Sequence, residues 1–136
     1  MTCFLPEPTP QTAPYWAGVQ QEKLMIQRGK ESGTYYFYPR SFNPAKPDEP
    51  VEWVEACGHA TLESYVITMR PTPGVEVLSP VIALVRLDEG PVLMTNIVEI
   101  QPTPDQLKLD MRLSVRFRQL GSFKLPVFGP IEIASV

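Results

Sequence analysis

Residues 81–97 have the sequence "VIALVRLDEGPVLMTNI", in which two apolar segments flank the short polar stretch "DEG". The apolar segments are rich in Val, Ile and Leu and have the length of strands. Gly90, at the end of "DEG", can adopt the left-handed backbone conformation that a three-residue hairpin turn needs. The stretch therefore predicts a β-hairpin.

The segments that follow predict two more strands. "MRLSVRFR", residues 111–118, alternates in polarity, so that its two faces separate. One face holds Met111, Leu113, Val115 and Phe117, and the other holds Arg112, Ser114, Arg116 and Arg118. A last strand is predicted at "KLPVF", residues 124–128, and "PTPDQLKLD", residues 102–110, predicts a turn or a single helical turn.

Two segments upstream of the hairpin also predict strands. They are "VEWVEAC", residues 51–57, and "ATLESYVITMR", residues 60–70, separated by a turn at Gly58. Five or so strands with one short helical break are the layout of a small closed barrel, because closure removes unpaired edges. We therefore predict a mainly β fold.

The residues before the barrel predict a short helix and a small hairpin. The helix lies in "PYWAGVQQEKL", with Thr12 as its cap and Pro14 in its first turn. Two extended segments, "KLMIQR" and "TYYFYPR", flank a turn at Gly29–Gly33. The predicted organisation is an irregular proline-rich arm at 1–13, a helix plus hairpin at 14–50 and a barrel at 51–136.

The composition of the chain limits which classes of protein it can belong to. The chain has 136 residues, of which 43% are hydrophobic, enough for one domain-sized core. Its net charge is -3, which is not the footprint of a non-specific nucleic-acid binder. No segment approaches the length of an apolar membrane span, so we expect a cytoplasmic protein without a membrane partner. The two cysteines, Cys3 and Cys57, are expected to be free thiols.

Four segments in unbroken order resemble the acyl-CoA-associated OB-fold family. They are "QRGKESGTYYFYPRSFNPAK", "VEWVEACGHATLESYVITMRP", "PVIALVRLDEGPVLMTNIVEI" and "MRLSVRFR" with the later "LPVF", and the similarity runs from about Tyr15 to Pro130. The resemblance implies an N-terminal helix, a rubredoxin-like zinc ribbon and a five-stranded OB-fold barrel.

The zinc ligands of that family are missing here. Its members usually present Cys-X2-Cys and then Cys-Pro-X-Cys, and the matching positions are Gly29, Ser32, Asn43 and Lys46. None of these side chains supplies the thiolate or imidazole ligands of a tetrahedral zinc site. We therefore predict a degenerate ribbon without zinc and no metal site. Packing among the ribbon aromatics, Tyr35, Tyr36, Phe37, Tyr38 and Phe42, is expected to offset the lost metal.

The residue types that carry catalysis are few. We expect His59 to be an ordinary turn residue and Cys57 a small buried hydrophobe, with their side chains on opposite faces. Asp88 and Glu89 are adjacent carboxylates in a hairpin turn, where such residues are common for conformational reasons. We therefore assign no catalytic residue and predict that the chain is not an enzyme.

Two groups of residues could bind a ligand or a partner. Arg112, Arg116 and Arg118, with Arg86, are candidates for the phosphates of acyl-CoA, because guanidinium groups suit phosphate; a solvated outer face is the alternative. Trp16, Tyr36, Tyr38, Arg40 and Phe42 are candidates for a partner surface, with core filling as the alternative.

The resemblance implies a function beside acyl-CoA enzymes of lipid metabolism. We expect a non-catalytic accessory subunit that binds a thiolase-like enzyme, a lipid-transfer-type aldolase or a hot-dog-fold hydratase in a hetero-oligomer and helps shape its acyl-CoA site. A free-standing acyl-CoA-binding module is the alternative. Single-stranded nucleic-acid binding, which the barrel alone suggests, ranks below both because the net charge is negative.

Overall fold

In the computed structural model, residues 7–70, 73 and 77–131 are described, and they form one short helix and eight strands. The elements are α1 (Ala13–Gln20), β1 (Met25–Gly29), β2 (Tyr35–Tyr36), β3 (Val51–Glu55), β4 (His59–Ile67), β5 (Val81–Leu87), β6 (Val92–Asn96), β7 (Arg112–Leu120) and β8 (Phe123–Pro130). Within the described ranges, no helix has the length and apolar character needed to cross a membrane.

The hairpin predicted at residues 81–97 is confirmed as β5 and β6. Gly90 has φ 118°, and its N–H donates to the Leu87 carbonyl at 2.8 Å, while Pro91 accepts the Leu87 N–H at 2.8 Å. The side chains of β5 alternate between buried and exposed along the whole strand. The hairpin therefore directs one face of the pair into the core and leaves the other on the outside.

The five-stranded barrel is also confirmed. Its strands follow the order β6-β5-β4-β7-β8, and all four neighbouring pairs are antiparallel. β6 and β8 close the barrel through a single parallel bridge between Ile97 and Phe128. The stretch 102–110 forms turns between β6 and β7, as predicted, and its Leu107 is buried.

Two prolines keep the closing seam sparsely hydrogen-bonded. On the seam side of β8, Val98 N–H donates to the Phe128 carbonyl at 2.9 Å, and the Thr95 hydroxyl donates to the Pro126 carbonyl at 3.1 Å. Because alternate residues of a strand turn their backbone groups to the same side, the nitrogens of Pro126 and Pro130 also face this seam. Neither proline nitrogen carries a hydrogen, so neither can donate a hydrogen bond across the seam. The barrel is therefore nearly closed.

The hydrophobic core of the barrel contains residues from both the early and the late segments of the chain. Phe128 is the largest fully buried side chain, and it packs in one cluster with the inward residues of β4 to β7. Leu24 and Ile26, at the start of the hairpin sheet, belong to the same cluster. The ribbon and the barrel thus share one hydrophobic core.

Strand β3 pairs outside the barrel. Residues 51–55 run antiparallel to β1 over five positions, giving a three-stranded sheet in the order β2-β1-β3. This differs from the predicted boundary, which assigned residues 51–136 to the barrel. Since β1 and β2 pair at only two positions, β1 would otherwise expose most of its backbone hydrogen-bonding groups.

The helix is shorter than predicted. α1 ends at Gln20 because Glu22 adopts φ 59° and the Gly18 carbonyl accepts the N–H groups of Gln21 and Lys23. Pro14 lies in the first turn as predicted, but the Thr12 side chain does not cap the helix. Its hydroxyl accepts the N–H of Thr9 at 2.8 Å instead.

Replacing Thr95 by Val should weaken the barrel seam. The change removes the hydroxyl that donates to Pro126 and leaves that carbonyl unpaired, so we expect a loss of about 1 kcal/mol in the free energy of unfolding. Chemical denaturation measures this loss. Thr34→Val, on the exposed ribbon turn, is the control and should change stability little; equal effects of the two substitutions would contradict the role of the seam.

Candidate functional site

The carboxylate of Glu49 lies where the degenerate zinc positions meet. Its Oε1 accepts the Ser32 hydroxyl at 2.6 Å and the side-chain amide of Asn43, while its Oε2 accepts the backbone N–H groups of Ser32 at 2.8 Å and Glu31 at 3.2 Å. Glu49 is only 4% exposed, and Asn43 is 1% exposed. A buried carboxylate with four donors is fully satisfied.

The other two degenerate positions also surround this carboxylate. A Cβ atom at Gly29 would overlap the Glu49 carboxylate, so only glycine fits there. The backbone carbonyl of Lys46 accepts the Glu49 N–H at 3.2 Å, and the Lys46 ammonium pairs with Glu31 at 3.0 Å. All four positions that correspond to zinc ligands therefore contact or confine Glu49.

These donors stabilise the charged form of Glu49. The hydrogen bond from the Ser32 hydroxyl is the largest cause, and together with the backbone donors and Asn43 it lowers the pKa of Glu49 to about 2, against the opposing effect of burial. The carboxylate is therefore an anion throughout the physiological pH range. Sequence reasoning missed it because Glu49 lies among three prolines in a loop and matches no motif.

The ribbon aromatics divide between core and surface. Tyr35 and Phe37 pack against the core cluster, whereas Tyr38 is 58% exposed and Phe42 is 44% exposed. Tyr36 is half-buried. The expected aromatic compensation for the lost metal therefore involves part of the set, and the Glu49 hydrogen bonds provide the polar centre of the ribbon.

Two further residues of the predicted partner surface have structural contacts. Trp16 stacks edge-to-face on Phe123 of β8, with ring centroids 5.1 Å apart, and so joins the helix to the barrel. The backbone of Arg40 exchanges hydrogen bonds with the side chain of Gln27 at 2.8 Å in each direction, which leaves its own side chain exposed. Of the five predicted residues, Tyr38, Arg40 and Phe42 are the exposed ones.

The four predicted arginines form two separate groups, and each is paired with a carboxylate. Arg112 makes a bidentate ion pair with Asp88 at 2.8 Å, and Arg86 pairs with Glu63 at 2.7 Å. Both flank Thr61 of β4 in the register of the sheet. The structure therefore places these two arginines together at one end of β7.

Arg116 and Arg118 lie farther along β7 and share one carboxylate. Glu99 accepts from both guanidinium groups, at 3.1 Å from Arg116. Two positive charges against one negative charge leave an excess of one. The four predicted arginines therefore do not form one phosphate site. Of the two groups, only Arg116 and Arg118 carry more positive charge than their carboxylate partner neutralises.

An apolar patch on the outside of the barrel was missed by sequence reasoning. We call it the outer-sheet face: Val66, Ile82, Leu84 and Met94, of which Met94 is 64% exposed. Val66 pairs with Ile82 and Leu84 pairs with Met94, so the four lie on adjacent strands. The signal was present, since "VIALV" is apolar on both faces of the strand, and a strand with one solvated face should alternate.

A groove of about 180 Å³ extends this apolar surface towards the ribbon. Tyr15, Phe37, Met94 and Leu125 line it, and Phe37 contacts Tyr38 with ring centroids 5.3 Å apart. The outer-sheet face, the groove and the exposed Tyr38 are therefore neighbours on one side of the molecule.

Cys57 and His59 contradict their predicted positions. Cys57 is exposed rather than buried, and its Sγ lies within 4.8 Å of both a His59 ring nitrogen and an Asp88 carboxylate oxygen. Residues two apart along an extended chain point to the same side, so the expectation of opposite faces was wrong. Partial burial raises the pKa of the Cys57 thiol, and the nearby Glu89 and Asp88 carboxylates raise it further.

Comparison with known proteins finds a family that resembles the barrel region. The family model described as the ChsH2 C-terminal OB-fold domain matches residues 53–118. The match covers slightly less than half of the chain and is a similarity of this part alone. The resemblance to acyl-CoA-associated OB-fold proteins that the sequence predicted is thereby confirmed.

Two curated relatives match beyond the ChsH2-type barrel. A "DUF35 domain-containing scaffold protein" of Pyrococcus furiosus is 25% identical over 114 residues, which cover 83% of this chain and 82% of that protein. A "probable enoyl-CoA hydratase alpha subunit" of Thermomonospora curvata is 30% identical over 117 residues, which cover 85% of this chain but only 36% of that protein.

One solved structure resembles nearly the whole ChsH2-like chain. A chain of the "Ltp2-ChsH2(DUF35) aldolase" structure superposes with a TM-score of 0.80 and 29% sequence identity, covering 93% of this chain and 98% of that one. A match of this length is longer than the barrel and extends into the residues before β4.

The Glu49 site predicts an acid-sensitive ribbon. Since the folded-state pKa of about 2 lies below the ordinary value of 4.5, the unfolded chain binds the proton first on acidification. The stabilisation is fully present above pH 4.5 and is lost as the pH falls towards 2. Thermal melts across this range should show the loss in the wild type.

The matched variants for this prediction are Glu49→Gln and Glu31→Gln. Glu49→Gln should lower the melting temperature at neutral pH and flatten the pH dependence below 4.5, because the titrating group is gone. Glu31→Gln removes only an exposed ion pair and should do neither. A Glu49→Gln profile that parallels the wild type would contradict the assignment.

Proposed function

We propose that this chain is a non-catalytic accessory subunit that binds and stabilises an acyl-CoA enzyme of the thiolase-like or aldolase type. The observation that carries the proposal is the likeness, at a TM-score of 0.80 over 93% of the chain, to a chain of the Ltp2-ChsH2(DUF35) aldolase. The scaffold name of the Pyrococcus relative supports the same role. A hot-dog-fold hydratase, in line with the hydratase subunit relative, is the other partner class.

The apolar side of the molecule supports a docking role. The outer-sheet face places four apolar side chains from three strands on the surface, and the adjoining groove leads through Phe37 to the exposed Tyr38. Contiguous exposed apolar surface is uncommon on a monomer and marks interaction sites. Aromatic residues, Met and Arg are enriched in protein interfaces, which suits Tyr38, Met94 and Arg40. We assign this side to the enzyme subunit.

The ribbon contributes a rigid support for that surface in this proposal. Glu49 fills the space between the four degenerate ligand positions and accepts hydrogen bonds from two of them, Ser32 and Asn43, so the hairpin needs no zinc there. The carboxylate hydrogen bonds hold the loop that carries Phe42 close to the turn at Gly29–Gly33. The proposed ribbon is therefore metal-free.

Co-purification with the enzyme subunit tests the docking surface. The chain should elute as a hetero-oligomer with a thiolase-like or aldolase-type enzyme from the same organism, and Met94→Glu should weaken that complex at least about tenfold because a charge would be buried in an apolar contact. Leu109→Glu is the matched control, since Leu109 is 61% exposed but lies outside the outer-sheet face.

Each outcome of this experiment is decisive for one part of the proposal. Separate elution of the two wild-type proteins at micromolar concentration contradicts the accessory role. A stable complex that Met94→Glu and Leu109→Glu leave equally intact supports the role but contradicts the assigned surface. The double variant Tyr38→Ala, Phe42→Ala tests the ribbon end of the same surface.

The alternative function is a free-standing acyl-CoA-binding module. One observation favours a weak form of it: Arg116 and Arg118 carry one positive charge more than Glu99 neutralises. We propose that this pair contacts a CoA phosphate only as part of the joint site with the enzyme, because every predicted arginine is already held by a carboxylate.

Calorimetry separates the two functions. The isolated chain should show little heat with acyl-CoA, whereas the complex should bind it, and Arg116→Ala should weaken that binding about tenfold through the lost charge-assisted contact. Arg86→Ala is the control, since Arg86 belongs to the other group. Tight binding by the isolated chain that Arg116→Ala abolishes would favour the carrier instead.

A further inference from the structure

Three side chains with metal-ligand atoms meet at one end of the barrel, away from the ribbon positions. The segment Cys57–Gly58–His59 lies against the β5–β6 turn, where the ligand atoms of Cys57, His59 and Asp88 all lie within 4.8 Å of one another. Glu89 lies beside them, because its Oε2 accepts the backbone N–H of Cys57 at 2.7 Å.

One carboxylate oxygen of the neighbouring Glu89 has no hydrogen-bond partner. Glu89 Oε1 is buried and is the single buried side-chain polar atom without a hydrogen bond among the residues that the structure describes. A buried carboxylate oxygen without a partner costs free energy, and a bound cation removes that cost.

The backbone holds the cluster in place. The Gly58 carbonyl accepts the Val115 N–H at 2.8 Å, and the His59 carbonyl accepts the Asp88 N–H at 3.1 Å. Gly58 has φ 86°, and a Cβ there would lie 2.9 Å from the Cγ1 atom of Val115. Glycine is thus required where the chain presents Cys57 and His59 together.

We propose that Cys57, His59 and Asp88 form a binding site for one thiophilic divalent cation of the zinc class. A thiolate and an imidazole select zinc over magnesium or calcium, and the Asp88 carboxylate completes a set of S, N and O ligands whose fourth tetrahedral position is open to water. Cation binding displaces the Cys57 thiol proton, which passes to solvent as the sulfur–metal bond forms.

Arg112 completes the charge balance of the site. The thiolate and the carboxylates of Asp88 and Glu89 carry three negative charges, and a divalent cation with the Arg112 guanidinium carries three positive charges. The bidentate Arg112–Asp88 pair fixes the carboxylate orientation, as outer partners of metal ligands do. The expectation of no metal considered only the ribbon positions, and this site is separate from them.

Cobalt substitution tests the site in the full-length chain. Titration with Co²⁺ under a non-chelating reductant should produce the charge-transfer absorption of a cobalt–thiolate bond, saturating near one metal per chain and reversed by Zn²⁺. Cys57→Ser should abolish the band, and His59→Ala should weaken metal binding by about tenfold or more. Cys3→Ser, the change at the chain's other cysteine, should leave both intact.

Folding of each variant is checked by its melting temperature without metal, which should match the wild type because the ligand side chains are at the surface. A band that survives Cys57→Ser but disappears in Cys3→Ser would overturn the proposal, as would the absence of any thiolate band in folded wild-type protein. Since the titration uses the isolated chain, its failure would not touch the accessory-subunit proposal, and failure of complex formation would not touch this site.

Discussion

The polar interior of the ribbon depends on one carboxylate. Glu49 closes the loop that follows β2 onto the turn that follows β1, and its donors come from both segments. A tetrahedral metal would do this with four covalent-like bonds; here one anion does it with hydrogen bonds to two backbone amides, a hydroxyl and a side-chain amide. With that centre in place, β1 is positioned to accept β3, and Leu24 and Ile26 reach the barrel core.

The barrel positions its surface features through the same alternation that builds its core. Along β5 every second residue is buried, so the intervening Ile82, Leu84 and Arg86 necessarily face outward. Ile82 and Leu84 are apolar, whereas Arg86 is charged and pairs with Glu63. The apolar outer-sheet face therefore lies beside an ion pair on the same strand. A surface of this composition is suited to a partner that covers it, because the apolar centre loses water while the rim stays solvated.

Periodicity and turn chemistry carried the prediction of the fold, because both are local. Apolar segments of strand length located β5 and β6, alternation located β7, Gly90 located the hairpin and the aromatic segment after Gly33 located β2. The predictions that failed concern contacts between residues that are far apart in the sequence. The pairing of β3 with β1 is decided by an edge that another strand leaves open, and the Glu49 site joins residues up to 20 positions apart that match no motif. The arginines were found as residues, but their carboxylate partners lie on other strands and cannot be seen from a single segment.

The two prolines on the seam side of β8 limit how this chain can pair with other copies of itself. Strand edges that are incompletely paired can recruit a strand from another molecule, and a missing N–H at alternate positions denies such a strand its regular ladder. With Pro126 and Pro130 at those positions, the weakest joint of the barrel is also a poor template for self-association. A chain with an exposed apolar face is thereby protected, along this edge, from pairing with its own copies.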